Sequence, residues 1–64
     1  MYEVWIVVPG IASEPDQWVV IMTTTKKENA VRVAGYLNRL TDVKIWHPGE
    51  TREEYPKGSF AERN

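Results

Sequence analysis

The residues that could take part in proton transfer or metal binding cluster around a single histidine near the end of the sequence. His47 is followed by Glu50, Glu53 and Glu54, and an imidazole with carboxylates can form an acid–base pair or bind a metal. A lone histidine beside a Pro-Gly turn is more typical of a surface residue, and adjacent glutamates of a solvated surface. No motif for a nucleophile, a phosphate loop, a zinc site or a dinucleotide is present. The sequence therefore predicts a non-enzymatic protein without a cofactor or metal.

Length and composition limit the protein to one small domain. The chain has 64 residues, no cysteine and a formal net charge of −1. A domain of this size hides only about 60% of the surface of its unfolded chain, so the absence of disulfides favours support from oligomerisation. The longest apolar runs are far below the roughly 20 residues that span a bilayer, and no basic segment precedes the first one. We expect a cytoplasmic protein that does not insert into a membrane.

Two runs rich in β-branched and aromatic residues predict the first strands, Tyr2–Val8 and Gln17–Thr24. A Pro-Gly pair ends the first run, and residues 9–16 form a loop longer than most hairpin connections. Residues 42–46 predict a third strand.

Between the second and third strands the sequence predicts one amphipathic helix. Thr25 and Glu28 have the spacing of a capping box, which makes Thr25 the expected N-cap. Gly35 lies opposite the apolar stripe, where glycine is unfavourable in a helix by about 1 kcal/mol; the sequence gives no reason for it beyond a close approach of some group on that side. The stripe consists of Ala30, Val33, Ala34, Leu37, Leu40 and Thr41.

These elements predict an α+β fold with the order ββαβ, in residues 1–48. The crossover through the helix makes the second and third strands parallel, and a hairpin makes the first antiparallel to the second. We expect a three-stranded mixed sheet in the order 2-1-3, with the helix on one face. Residues 49–64 are polar and predict an irregular tail, in which residues 51–54 resemble a second capping box.

The face of the sheet without a helix is the principal candidate for binding. Side chains alternate along a strand, which places Trp5 and Val7 of the first strand and Trp46 of the third on this open face. The second strand is apolar on both sides, so either the set with Trp18 or the set with Val19 could join them. The residues assigned to the helix side are Val4, Ile6, Val8, Val43 and Ile45.

Two tryptophans and their neighbours would leave an apolar patch at or above the roughly 300 to 600 Å² found on typical monomers. Three covers are conceivable: the tail, folded back through Tyr55 and Phe60, a second copy of the chain, or another protein. The candidate residues of this protein-binding or dimer face are Trp5, Val7, Trp18 and Trp46.

The helix offers an alternative surface because residues 26–44 hold five basic side chains against two acidic ones. Arg32, Tyr36 and Arg39 could bind a nucleic acid through phosphate contacts and stacking. An ordinary solvated helix face explains the same residues, including a Glu28 to Arg32 pair. Nucleic-acid stacking on the tryptophans is disfavoured because the nearby charges, Glu3 and Lys44, cancel.

In its size and its lack of cysteines and catalytic motifs, the chain resembles the accessory proteins of phages and mobile elements, which commonly bind and modulate a host protein. The leading hypothesis is a small protein-interaction module, a homodimer or the partner of a host protein. The alternative is a small nucleic-acid-binding regulator that uses the basic helix.

Overall fold

The structure, a computed structural model, describes residues 1–60, which form four strands and one helix. Their order along the chain is β1 (Tyr2–Val8), β2 (Gln17–Thr24), α1 (Lys27–Leu37), β3 (Val43–Trp46) and β4 (Glu53–Tyr55). The strands form one sheet in the spatial order β2-β1-β3-β4. The predicted α+β class, with one helix, is confirmed.

The sheet differs from the prediction in strand number and in being antiparallel rather than mixed. It has four strands rather than three, and every pair of neighbours is antiparallel. β2 and β3 point the same way and β1 lies between them, as expected from the order 2-1-3, and β1 is antiparallel to both. No parallel pair is adjacent, so the sheet is antiparallel and the prediction of a mixed sheet was wrong.

The fourth strand lies in the segment predicted to be an irregular tail. β4 pairs with β3 so that Tyr55 lies opposite Val43 and Glu54 opposite Lys44. Tyr55 is buried, and burial of this aromatic side chain stabilises a strand that its two glutamates disfavour. The predicted tail and second capping box were therefore wrong at residues 53–55.

The helix begins one residue later than its capping box predicted. Lys26 is the N-cap and makes no side-chain capping bond, while the hydroxyl of Thr24 accepts a hydrogen bond from the Lys26 amide at 3.2 Å. The helix ends at Leu37, so Leu40 of the predicted stripe lies beyond it and is exposed. Ala30 and Ala34 are fully buried, and their small side chains allow α1 to lie close to the sheet.

The core lies between α1 and one face of the sheet, and the end of the described chain completes it. Its buried residues are Val4, Ala30, Ala34, Val43, Ile45, Tyr55 and Phe60. The rings of Tyr55 and Phe60 meet edge to face with centroids 4.8 Å apart. A Cβ added at Gly35 would lie 3.1 Å from Cε1 of Phe60. The close approach that the helix glycine implied is therefore made by Phe60.

A buried asparagine at the helix end fixes this last segment against the core. Asn38 is 1% exposed, and its side-chain amide donates to the carbonyl oxygens of Thr41, Tyr55 and Pro56 at 2.9 to 3.2 Å. Its side-chain oxygen accepts from the Phe60 amide at 2.8 Å. These bonds connect the end of the helix to Thr41, to the end of β4 and to Phe60.

Candidate functional site

The sheet face opposite α1 carries all three tryptophans, and we call it the tryptophan face. Register determines its membership, because directly paired residues share a face. Trp5 lies opposite Val20 on one side and Lys44 on the other, and Val7 lies opposite Trp18. Trp46 lies opposite Glu3. The centre of the tryptophan face consists of Trp5, Val7, Trp18, Val20, Lys44 and Trp46, and its margin holds Glu3, Arg52 and Glu54.

Pairing with β1 decides which side chains of β2 belong to this face. The register shifts between Val4 and Trp5, which pair with Met22 and Val20, so that Ile21 is the extra residue of a β-bulge. The bulge changes the alternation along β2: Trp18 and Val20 lie on the tryptophan face, whereas Met22 packs against the core. Alternation alone could not make this choice, since both sides of β2 are apolar.

Two cationic side chains cover part of the exposed indole surface. Lys44 Nζ lies 3.9 Å from the centroid of the Trp18 ring, and the guanidinium carbon of Arg52 lies 5.1 Å from that of Trp46. Each such contact contributes about 0.5 to 1 kcal/mol at an exposed site. Trp5, Trp18 and Trp46 all remain half-buried, so the cover is partial.

The polar edges of two indoles have partners within the chain. Trp5 Nε1 donates to Glu3 Oε1 at 3.0 Å, and Trp46 Nε1 donates to the backbone oxygen of Glu50 at 3.2 Å. Bonding of the N–H groups fixes the rings in place and leaves apolar ring surface directed at solvent.

Charges around the tryptophans balance. Lys44 and Arg52 are the cations, and Glu3 and Glu54 lie at register positions opposite Trp46 and Lys44. The sequence indicated the cancelling pair Glu3 and Lys44 but missed Arg52, because it lies in the segment predicted to be irregular. Had β4 been recognised, alternation from Glu54 would have placed Arg52 on this face.

No family model, no curated protein and no solved structure matches this chain.

The proposed cover by the tail is wrong for the residues named. Tyr55 and Phe60 both lie in the core on the helix side. The reason is the register of β4, in which Tyr55 pairs with Val43 and so shares its face. The other two predicted covers, a second copy and another protein, stay predictions.

The alternative helix surface forms part of a cleft. Arg32, Tyr36 and Arg39 line an open cleft of about 360 Å³ beside Gly58 and Phe60. The guanidinium carbon of Arg39 lies 5.9 Å from the centroid of the Tyr36 ring. The structure thus places the three candidates of the helix face around one concavity.

The described contacts of His47 are with an aromatic ring and with the turn that follows it. The ring of His47 packs against Tyr2, with centroids 4.5 Å apart, and its Nδ1 lies 2.9 Å from the Pro48 oxygen. Within residues 1–60, no group of three histidine, aspartate or glutamate side chains is arranged to hold a metal ion. In the same range no helix has the length and apolar character needed to cross a membrane.

Proposed function

We propose that this chain is a non-enzymatic, cytoplasmic protein-interaction module, homodimeric, that binds and modulates another protein through its tryptophan face. The observation that carries the proposal is the position of all three tryptophans on one sheet face, half-buried, with no helix over them within residues 1–60. Tryptophan is enriched among the residues that dominate binding energy at protein interfaces.

The balanced charges favour a protein partner over a nucleic acid at this face. Binding to a phosphate backbone requires an excess of lysine and arginine, whereas here two cations are matched by Glu3 and Glu54. An apolar centre with mixed charges around it is instead the usual composition of a protein interface. Lys44 and Arg52 can move aside from the rings or bind carboxylates at the rim.

Site-specific photo-crosslinking in cells of the source organism tests the proposal. A photoreactive residue at Glu54, which is exposed and at the margin of the tryptophan face, is expected to capture another protein. The same residue at Leu40, exposed beyond the end of α1, is the control and should not capture it. The captured protein, once purified, should bind the wild-type chain, and Trp46→Ala should weaken binding by about 2 kcal/mol or more.

Two results would contradict the proposal. One is capture of the same proteins from Glu54 and from Leu40, which would mean that the crosslinks do not depend on the tryptophan face. The other is equal affinity of the wild type and Trp46→Ala for the purified partner. Tyr36→Ala, which removes an exposed aromatic ring from the helix, is the matched variant that should leave affinity unchanged.

The cleft on α1 supports a second candidate function, a nucleic-acid-binding regulator. Its two arginines and Tyr36 surround one concavity, which suits a phosphate and a stacked base. Fluorescence anisotropy with single-stranded DNA and RNA should then show affinity that falls with salt. Arg32→Ala and Arg39→Ala should weaken it, while Arg52→Ala, the same substitution on the tryptophan face, should not. Absence of binding at low salt would exclude this candidate.

A further inference from the structure

The two edges of the sheet differ in how they are protected against pairing with another strand. β4 forms one edge with three residues, of which two are glutamates, and Pro56 follows it directly. Short length, charge and proline are the usual means by which proteins prevent edge strands from pairing. β2 forms the other edge with eight residues, Gln17–Thr24, none of them charged or proline.

β2 has both the backbone and the side chains that favour pairing. An edge strand presents a row of N–H and C=O groups that no neighbouring strand satisfies. Five of its residues are β-branched, which favours the extended conformation. Val20 and Ile21 in its middle are 46% and 40% exposed. The edge is thus long, extended and apolar at its centre.

The bulge at Ile21 is the one protective feature within β2. A bulge bends the strand and interrupts one point of the ladder, but here it introduces neither a charge nor a proline. The stretch from Gln17 to Val20 precedes the bulge in unbroken register with β1. The stretch from Met22 to Thr24 is likewise in register with β1, so both halves of the strand keep regular pairing geometry around the bulge.

We infer that a second copy of this chain pairs with β2 along its free edge, β2 to β2 and antiparallel, to form a continuous eight-stranded sheet. The polarity of the strand is self-complementary, because five apolar residues at positions 18–22 lie between Gln17 and the threonines at positions 23 and 24. Antiparallel self-pairing sets the apolar middle opposite itself, and the absence of charge removes repulsion between like residues.

The symmetry of this contact determines what the dimer displays. Antiparallel edges join into one sheet by a two-fold axis perpendicular to it, so both tryptophan faces lie on the same side and both helices on the other. The dimer therefore presents six tryptophans as one extended surface and leaves them free. The inference rests on the proposed function in one respect, that two copies of the chain associate. The contact between the copies is the edge of β2 and not the tryptophan face.

Sedimentation of the full chain over a wide concentration range tests this contact. The wild type should reach twice the 7.4 kDa chain mass, and Ile21→Lys should raise the dimer dissociation constant by about tenfold or more, because it places two like charges near the dyad. Ile11→Lys is the matched control, since Ile11 is 80% exposed in the loop outside the sheet, and should leave the constant unchanged. Far-UV circular dichroism of each variant shows whether it is folded.

Amide hydrogen exchange of the wild type provides a second measurement that needs no variant. Dimerisation should slow exchange in β2 as concentration rises, with no corresponding change in β4. A monomer at every concentration, or protection confined to residues outside β2, would overturn the inference. A dimer that Trp46→Glu dissociates and Ile21→Lys does not would instead place the contact on the tryptophan face. Partner capture from Glu54 is scored separately, so failure of the dimer contact and failure of partner binding can be told apart.

Discussion

At the scale of single residues, glycine at position 35 fits the limited space beside the helix, although glycine has a low helix propensity. Alanine at this helix position would stabilise α1 by about 1 kcal/mol in isolation, but its Cβ would lie 3.1 and 3.2 Å from two atoms of the Phe60 ring. Ordinary contacts lie between 3.4 and 4 Å. The ring has little freedom to retreat because it is buried against Tyr55.

We predict that the effect of Gly35→Ala depends on Phe60. In the wild type the substitution should bring no gain in the free energy of unfolding, whereas in a Phe60→Val background it should stabilise by about 1 kcal/mol. Urea unfolding of the four proteins of this double-mutant cycle measures the coupling. Asn29→Ala, at an exposed position of α1, is the control and should be additive with Phe60→Val. An equal effect of Gly35→Ala in the wild type and in the Phe60→Val background would contradict the contact between position 35 and the Phe60 ring.

Asn38 is the second residue whose identity the structure explains. Its side-chain amide has two hydrogens and three carbonyl acceptors, so at least one hydrogen is shared. Aspartate is of nearly equal size, but an ionised carboxylate can only accept hydrogen bonds and would face three carbonyl oxygens. Replacement would therefore turn three attractive contacts into repulsive ones in a buried site.

We predict that Asn38→Asp lowers the free energy of unfolding by about 3 kcal/mol or more at neutral pH. Burial raises the pKa of such a carboxyl above its value in the unfolded chain, so the loss should shrink as pH falls from neutral towards about 4. Below about 4 both states are protonated, and the loss should change no further with pH. Thermal unfolding across pH measures this. Asn29→Asp makes the same change at an exposed site, and an equal loss in the two variants would contradict a role for the buried network.

At the scale of secondary-structure elements, the sequence was sufficient for those with a strong local pattern. β-branched runs predicted β1, β2 and β3, and the apolar stripe predicted α1. β4 was missed because three residues are too few to show alternation and two of them are glutamates. Its stability comes from Tyr55 in the core and from Asn38, which lies 17 residues earlier in the chain. Contacts at that separation are not visible in a local pattern.

The tryptophan face was predicted only in part, because local patterns do not show how the strands pair. Alternation placed Trp5, Val7 and Trp46 correctly on the side opposite the helix. It could not assign β2, since that strand is apolar on both sides and a bulge shifts its alternation at Ile21. Arg52 was missed along with β4, although it covers part of Trp46.

The cations on the tryptophan face allow a prediction about these strands. Lys44→Ala removes the ammonium group from the Trp18 ring and should expose more of the indole. We expect a red shift of tryptophan emission, stronger quenching by acrylamide and a loss of about 0.5 to 1 kcal/mol in unfolding free energy. Lys27→Ala makes the same charge change at the exposed start of α1 and should alter none of these. Identical quenching in both variants would show that Lys44 does not cover the ring.

At the scale of the whole molecule, the core is completed only by its last described residues. A domain of 64 residues at roughly 0.05 to 0.15 kcal/mol per residue has about 3 to 10 kcal/mol of stability. Removing a large buried aromatic side chain costs about 3 to 5 kcal/mol, and Tyr55 and Phe60 are both in the core. The segment that the sequence treated as a polar tail thus supplies a share of stability comparable to the total.

We predict that a chain ending at Pro48 does not fold, although it retains β1, β2, α1 and β3. It would lose two core aromatics and the pairing partner of β3, and the amide of Asn38 would lose the Tyr55 and Pro56 carbonyls. Heating followed by circular dichroism should show no cooperative transition, and amide protection should be lost. A chain ending at Phe60 is the control, since it keeps every core contact described here, and should unfold cooperatively. A cooperative transition in the shorter chain would mean that residues 1–48 form a domain by themselves and that the aromatic pair contributes far less than its burial implies.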